Sequence, residues 1–390
     1  MSEHRILTSH VGSLVRPADF TALLRERKAG RAVPNFDAAL TAAVREVVAK
    51  QVQVGIDIVS DGEFGKTLGW EQYVIDRLQG FTDAPPPQQA SEGAVIPNWG
   101  DFKRFSEFYA EMFPHEGYEE RSFQCTAPIA YAGQQALQRD IGNLKSAVEA
   151  AKANAAFLPV VAPASATAMS PNAYYKSDEE YIFAMAEALR EEYRSILDAG
   201  LYVQIDDAHL PFMYDRMVPP ASDADYLRWA QLRIDALNHA LRGLDVKRVR
   251  YHICWGSWNG PHTFDVPLKK IIGLLLKLNV SGYAIEAANA RHEHEWQVWK
   301  EVKLPDERFL MPGVVSHQTN VVEHPELVAE RLVRFASVIG RDRVIAGTDC
   351  GFAQGPFVRR VHETIMWAKL ESLVQGARIA SRQLWGAQVA

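Results

Sequence analysis

Three cysteines in 390 residues are too few, and of the wrong parity, for the disulfide framework of a secreted protein. Cys125, Cys254 and Cys350 are therefore expected as reduced thiols, free to bind metal. Long apolar runs are missing as well. No stretch approaches the roughly 18–20 residues that span a bilayer, and the polar opening MSEHR lacks the apolar segment of a signal peptide. Both absences point to a cytoplasmic protein with no membrane partner. Positive charge is not in surplus either: 42 Lys and Arg against 48 Asp and Glu leave a formal charge of −6. Nucleic-acid binding needs concentrated basic groups to neutralise phosphates, so that class of partner is excluded and a small molecule is expected. No internal repeat or low-complexity tract is detectable. What remains is a chain of 47% hydrophobic content, able to bury a large core.

Short β-branched runs alternate with amphipathic stretches, the pattern of a parallel α/β protein, and one domain over residues 1–390 is expected. Strands are predicted at Ile6–Val11, Ile56–Ser60, Cys125–Tyr131, Phe157–Ala162, Leu201–Asp206, Val249–Trp255, Gly282–Glu286, Phe309–Val315 and Arg343–Thr348. That makes nine, one more than an eight-stranded barrel holds. Helices are predicted at Ala39–Val54, Leu144–Ala156, Asp178–Ala199, Ser222–Arg242, Pro325–Ile339 and His362–Gln383. Ser177 with Glu180 reads as a capping box for the third of these, and Gly200 ends it. From about 81 to 122 the rhythm breaks into Pro, Gly and aromatic residues. This reads as an insertion, either a lid whose Trp99, Phe102, Phe105, Phe108 and Tyr109 close over a pocket, or a surface excursion without a role in the chemistry.

The chemistry gathers at the ends of the apolar runs. In YHICWG, His252 and Cys254 are two apart, a spacing that sends both side chains to one face of a strand. Glu286 closes the run GYAIEAAN and Cys350 follows VIAGTD. Imidazole, carboxylate and two thiols are ligand types that zinc takes. In LYVQIDD the same alternation turns Gln204 and Asp206 to one face, while Ser13 and Glu63 follow strands of their own. In a (β/α)8 barrel the loops after the strands open on one face, so these groups converge there. A lone His or Cys in a strand is more often core than ligand, and Cys125 is read that way. The cluster Arg291–Glu295 lacks HExxH spacing and reads as the start of a solvated helix.

The motifs TSHVGS, VGIDIVSDGE, YVQIDD, HIC, YAIEA, PGVVSH and GTDCG follow one another between Thr8 and Phe352 in the order of a known family. On them the chain resembles the catalytic half of cobalamin-independent methionine synthase, in the group of shorter stand-alone relatives. The resemblance implies a TIM barrel of the methionine-synthase and uroporphyrinogen-decarboxylase type. It implies Zn2+ held by His252, Cys254, Glu286 and Cys350, with Glu63 and Asp206 at the amine of an amino-acid thiol. Ser13 and the backbone at Val11 match the place of that thiol's carboxylate, and His317 resembles the histidine that assists proton transfer. The stretch PVVAPASATAMS stands where the family carries a tryptophan beside its folate, and it holds no aromatic side chain.

The reaction implied is transfer of a methyl or other alkyl group from a donor onto a thiol, with homocysteine as acceptor and methionine as product. A free thiol, with a pKa of about 8.5, is only a few per cent thiolate at neutral pH, and coordination to a metal removes that obstacle. The donor is left open, and the resemblance leaves room for a separate protein that delivers the methyl group. Within the same chemistry, an epoxyalkane:coenzyme M transferase is the alternative. Outside it stand a metal-free decarboxylase of the uroporphyrinogen type and a non-catalytic zinc-binding protein.

Overall fold

The computed structural model describes residues 4–84, 99–112, 123–168 and 170–386. Ten strands carry the architecture: β1 (Leu7–Thr8), β2 (Ile58–Ser60), β3 (Leu78–Asp83), β4 (Phe123–Tyr131), β5 (Ala155–Val161), β6 (Tyr202–Asp207), β7 (Val249–Ile253), β8 (Gly282–Ile285), β9 (Phe309–Val315) and β10 (Ile345–Thr348). Eight form one parallel sheet in the order β1-β10-β9-β8-β7-β6-β5-β2. The two edges meet through single bonds rather than a ladder. Asp57 N–H donates to the Thr8 carbonyl (3.2 Å), Ser9 Oγ to the Ile58 carbonyl (3.0 Å), and Thr8 N–H to the Asp57 carboxylate (2.8 Å). The fold is a (β/α)8 TIM barrel with helices between the strands.

The third predicted strand is the one outside the barrel. Cys125–Tyr131 lies within β4, which pairs antiparallel with β3, a strand the sequence pattern did not reveal. Residues 84–122 thus connect the two strands of a ribbon. The predicted helix Leu144–Ala156 is also displaced. The helix runs Gln134–Ala151 and stops at Lys152, whose φ of 54° is left-handed, so Ala155 and Ala156 begin β5. Alanine suits either state, and the apolar run AAFLPVV decides for strand. Ser177 caps its helix by accepting from Glu180 N–H (3.1 Å), but the Glu180 carboxylate accepts from Lys176 N–H, one residue too early for a reciprocal box. The full box is at Ser222 and Asp225, ahead of Asp223–Leu241.

Strand alternation sorts the barrel interior into layers. Among the inward residues, Val11, Ala284, Phe309, Met311 and Ile345 form an apolar plug. Against it, Arg250 donates to Gln204 Oε1 (2.7 Å), Ser9 Oγ (3.0 Å) and the His10 carbonyl (2.8 Å), and its guanidinium lies 3.9 Å from the Phe157 ring centroid. One alternation further up each strand come Asp206 on β6 and His252 on β7, register partners at the upper end of the barrel. The outward residues of the same strands, Val203, Ile205, Tyr251 and Ile253, join the large core beneath the helices.

A buried ion network braces the wall beside β5. Arg77 bridges Asp140 and Glu192, at 2.5 Å to each, and all three side chains are buried. Removing the cation leaves the buried Glu192 with only the Tyr73 hydroxyl (3.4 Å) and Asp140 with the partly exposed Arg139 (3.0 Å). Arg77→Ala is expected to destabilise the protein by about 3–5 kcal/mol in urea unfolding; a loss below about 1 kcal/mol would show that the network carries little.

Candidate metal centre and the barrel mouth

His252 is the last but one residue of β7 and Cys254 follows the strand directly, while Glu286 follows β8 directly and Cys350 lies two residues beyond β10. Parallel strands in register bring these ends to one rim. The donor atoms of His252, Cys254 and Cys350 all lie within 4.8 Å of one another, and all three residues are buried. Cys254 is hydrogen-bonded with Cys350 and in contact with Glu286. Glu286 thus joins the group through Cys254, with its oxygens also accepting from Trp255 N–H (2.9 Å) and the Asn289 amide (2.6 Å).

The electrostatics of the four suit a metal rather than a structural knot. Hydrogen bonding to Cys350, burial and the nearby Glu286 push the Cys254 thiol well above its usual range. Burial pulls the His252 imidazole down to about 3 and raises the Glu286 carboxyl. The His252 ring reaches the Ala284 backbone, and neither of its nitrogens makes a hydrogen bond of full geometry among the described residues. A buried polar atom left without a partner costs about 1–3 kcal/mol, and a bound cation relieves that cost.

Beside the group lies a cavity of about 240 Å³ lined by His262, Glu286, Asn289, Arg291, His292 and Gln318. His292 overturns the expectation of a solvated helix start. It is buried, stacks on Trp255 at 4.2 Å between ring centroids, and is bonded to Asp265 (3.0 Å) and Glu295 (2.9 Å). Those two acids outweigh the cost of burial and raise it to about 10, so it is charged at neutral pH. Of the insertion, 85–98 and 113–122 lie outside the described residues, and 99–112 packs onto the loop after β7. Trp99, Phe102 and Tyr109 are buried against Phe212 and Trp258, and Asp101 accepts from His262 N–H (2.8 Å) and Thr263 N–H (2.9 Å). Phe105 packs on this cluster, and Phe108 is exposed.

Glu63 and Asp206 face a common buried space on the neighbouring arc of the rim. Glu63 sits at a φ of 64° in the turn after β2, with Asp61 accepting its N–H (2.9 Å) and Arg16 donating to its carbonyl (2.5 Å). Burial raises both carboxyls; the charge of Glu63 adds to the rise at Asp206, and the Lys66 ammonium opposes the rise at both. Asp206 accepts from Gln204 (2.8 Å). Its neighbour Asp207 takes the structural bonds, accepting from Ser165 (2.7 Å) and Tyr251 (2.9 Å), and His209 pairs with Glu71 (2.8 Å). Ser13 and Val11 stand at the rim with their donors engaged: Ser13 Oγ donates to the Ala353 carbonyl and Val11 N–H to Thr348 Oγ1 (3.3 Å). His317 follows β9, fully buried, with both ring nitrogens unpartnered among the described residues. Burial and the charge of Arg360 hold it well below its ordinary pKa, and so neutral.

Two residues of this mouth escaped sequence reasoning. Asp349 precedes Cys350 and accepts from the N–H groups of Ala287 (2.7 Å) and Ala288 (2.8 Å), fixing the turn that carries Glu286. Its place inside GTDCG was the available signal. Lys66 left none, because its position depends on the tight turn at Gly62 and Glu63.

A family model described as "Cobalamin-independent synthase, Catalytic domain" matches residues 126–378. The methionine synthase of Sulfolobus acidocaldarius is 24% identical over 97% of this chain and 93% of its own. The 2-hydroxypropyl-CoM lyase of Xanthobacter autotrophicus is 23% identical over 97% and 96%. Among solved structures, a B12-independent methionine synthase from Shewanella in complex with selenomethionine superposes with a TM-score of 0.74 at 19% identity, covering 97% of this chain and 99% of that one. The last similarity speaks for the fold alone.

The donor set makes a direct prediction. Protein incubated with a divalent transition metal and desalted should retain about one ion per chain, and Cys254→Ser and Cys350→Ser should each lose it. Cys125→Ser, altered on β4 outside the barrel sheet, should keep it. Retention by both rim variants in elemental analysis would show that the cluster is not the binding site.

Proposed function

The chain belongs to the cobalamin-independent synthase family, and from that premise we propose that it is a zinc-dependent transferase that moves a methyl group onto the sulfur of homocysteine. The observation that carries the reading is the buried convergence of His252, Cys254 and Cys350 within 4.8 Å, with Glu286 against Cys254. Zinc is the metal favoured by two thiolates, an imidazole and a carboxylate, and when bound it supplies a thiolate at neutral pH from the acceptor's sulfur.

The chain's own residues do the remaining work. Glu63 and Asp206 receive the acceptor's ammonium. Their raised pKa values mean that charge is lost earlier on acidification than for free acids, so acceptor binding weakens as pH falls toward the raised values. The register of β6 against β7 sets Asp206 beside His252, so a thiol gripped by its amine lies along the rim toward the metal ligands. His317, neutral and without partners, has one N–H with which to hydrogen-bond the departing atom of the donor as its bond to the transferred carbon breaks; the proton that atom gains comes from solvent, since a neutral imidazole that gave up its own would be left as the anion. The insertion's buried aromatics cover the loop after β7 and exclude water from that side.

A second reading within the same chemistry has its own support. The helix Pro163–Ala168 after β5 carries only small side chains and Pro, with no ring to stack a pterin, and a 2-hydroxypropyl-CoM lyase is as similar to this chain as the methionine synthases are. A donor without a pterin, such as an epoxide opened by a sulfonate-bearing thiol, fits that stretch.

Incubating the zinc-loaded protein with homocysteine or coenzyme M against a methylated reduced folate, small methyl donors and epoxides, then weighing the products, separates the readings. S-methylated homocysteine supports the first and a hydroxyalkyl thioether of coenzyme M the second; no thioether from any pair would refute both. His317→Ala should lower kcat by on the order of 100-fold with little change in acceptor KM; an equal change in KM instead would place His317 in binding.

A further inference from the structure

Lys66 is the least satisfied cation of the mouth. Its Nζ lies 4.3 Å from the Tyr73 ring centroid and 3.5 Å from Glu63 Oε1, a long contact that is its one polar partner among the described residues. Its side chain is only 8% exposed. A buried ammonium carries three donors, and one loose ion pair with a face-on ring leaves most of that capacity unused. The backbone holds it in place: Arg16 donates to both the Glu63 and Lys66 carbonyls (2.5 and 3.0 Å), and Lys66 N–H donates to the Glu63 carbonyl (3.1 Å). The ammonium also acts on the charge of Asp206, the register partner of His252, and so lies on the acceptor's side of the mouth.

The groups that the resemblance assigned to an acceptor's carboxylate are committed elsewhere, since Ser13 Oγ is bonded to the Ala353 carbonyl and Val11 N–H to Thr348. We propose that Lys66 is the specificity-determining residue that pairs the acidic terminus of the thiol acceptor, swinging from Glu63 to a carboxylate or sulfonate as the acceptor enters. This rests on the thiol-acceptor reading above and deepens it. For an amino-acid thiol the exchange is balanced: the acceptor's ammonium replaces Lys66 at Glu63 and Asp206, and its carboxylate replaces Glu63 at Lys66. For a sulfonate thiol, Lys66 takes the anion and leaves Glu63 without an incoming cation. The shared requirement is an anion on the acceptor, and an amine alone does not meet it.

The test is titration calorimetry on the zinc-loaded protein with four thiols: homocysteine, 4-mercaptobutanoate, 3-mercaptopropylamine and 2-mercaptoethanesulfonate. Wild type should bind the anionic thiols more tightly than the amine. Lys66→Met, which keeps a stem against Tyr73, should weaken its best anionic thiol about tenfold or more and leave 3-mercaptopropylamine unweakened, with zinc content and melting temperature unchanged. Lys66→Arg should restore part of the preference. Whether homocysteine or the sulfonate binds wild type more tightly identifies the source of the anion. Equal weakening of all four thiols, or none, would overturn the assignment. Binding of no thiol by wild type would remove the thiol reading itself, and the anchor with it.

Discussion

Parallel strands closed into a barrel all end on one rim, and the buried polar groups gathered there constrain everything else in this protein. His252 with no hydrogen bond of full geometry, a Cys254 thiol pressed against Cys350, and Glu286 against both thiol and backbone are unfavourable in a protein interior by themselves. They are tolerable because the strands beneath them are buried in the core. The plug of Phe309, Met311 and Ile345 and the Arg250–Gln204 layer hold β6 to β9 in fixed register, and the register decides where the side chains meet. A cation at the rim would convert four local costs into one ligand shell.

Charge on the neighbouring arc is arranged by the same economy. Glu63, Asp206 and Lys66 are buried together, so each carboxylate's burial is offset by a cation that is itself incompletely satisfied. Such a set is primed for exchange with a zwitterionic or anionic guest, since an incoming partner replaces an existing one and no new charge is left bare. Asp207 and His209, one and three residues on, show the contrast: their hydrogen bonds are made within the protein, and they brace the loop after β6.

Much of the barrel was legible because the signals are local. Apolar runs of four to seven residues closed by Asp206, His252, Glu286 and Cys350 mark strand ends, and a strand end in a barrel is a place in space. The failures are those of longer range. Cys125–Tyr131 has the alternation of a barrel strand, and only its antiparallel partner Leu78–Asp83, a polar and glycine-bearing run, removes it from the sheet. The boundary near Ala155 was invisible because alanine is neutral between helix and strand. His292 reads as surface from its charged neighbours, and only the fold brings Asp265 and Trp255 to it. Lys66 belongs to the same class. Its meaning comes from a left-handed turn at Glu63 that points the two side chains at each other.

X-ray absorption at the zinc edge, on the metal-loaded protein with and without homocysteine or coenzyme M, bears most directly on the central claim that the rim activates a thiol by coordination. The account predicts a shell with two sulfur neighbours from Cys254 and Cys350 that gains one more when its acceptor thiol is added. A shell of nitrogen and oxygen alone, or a sulfur count that neither thiol changes, would contradict it.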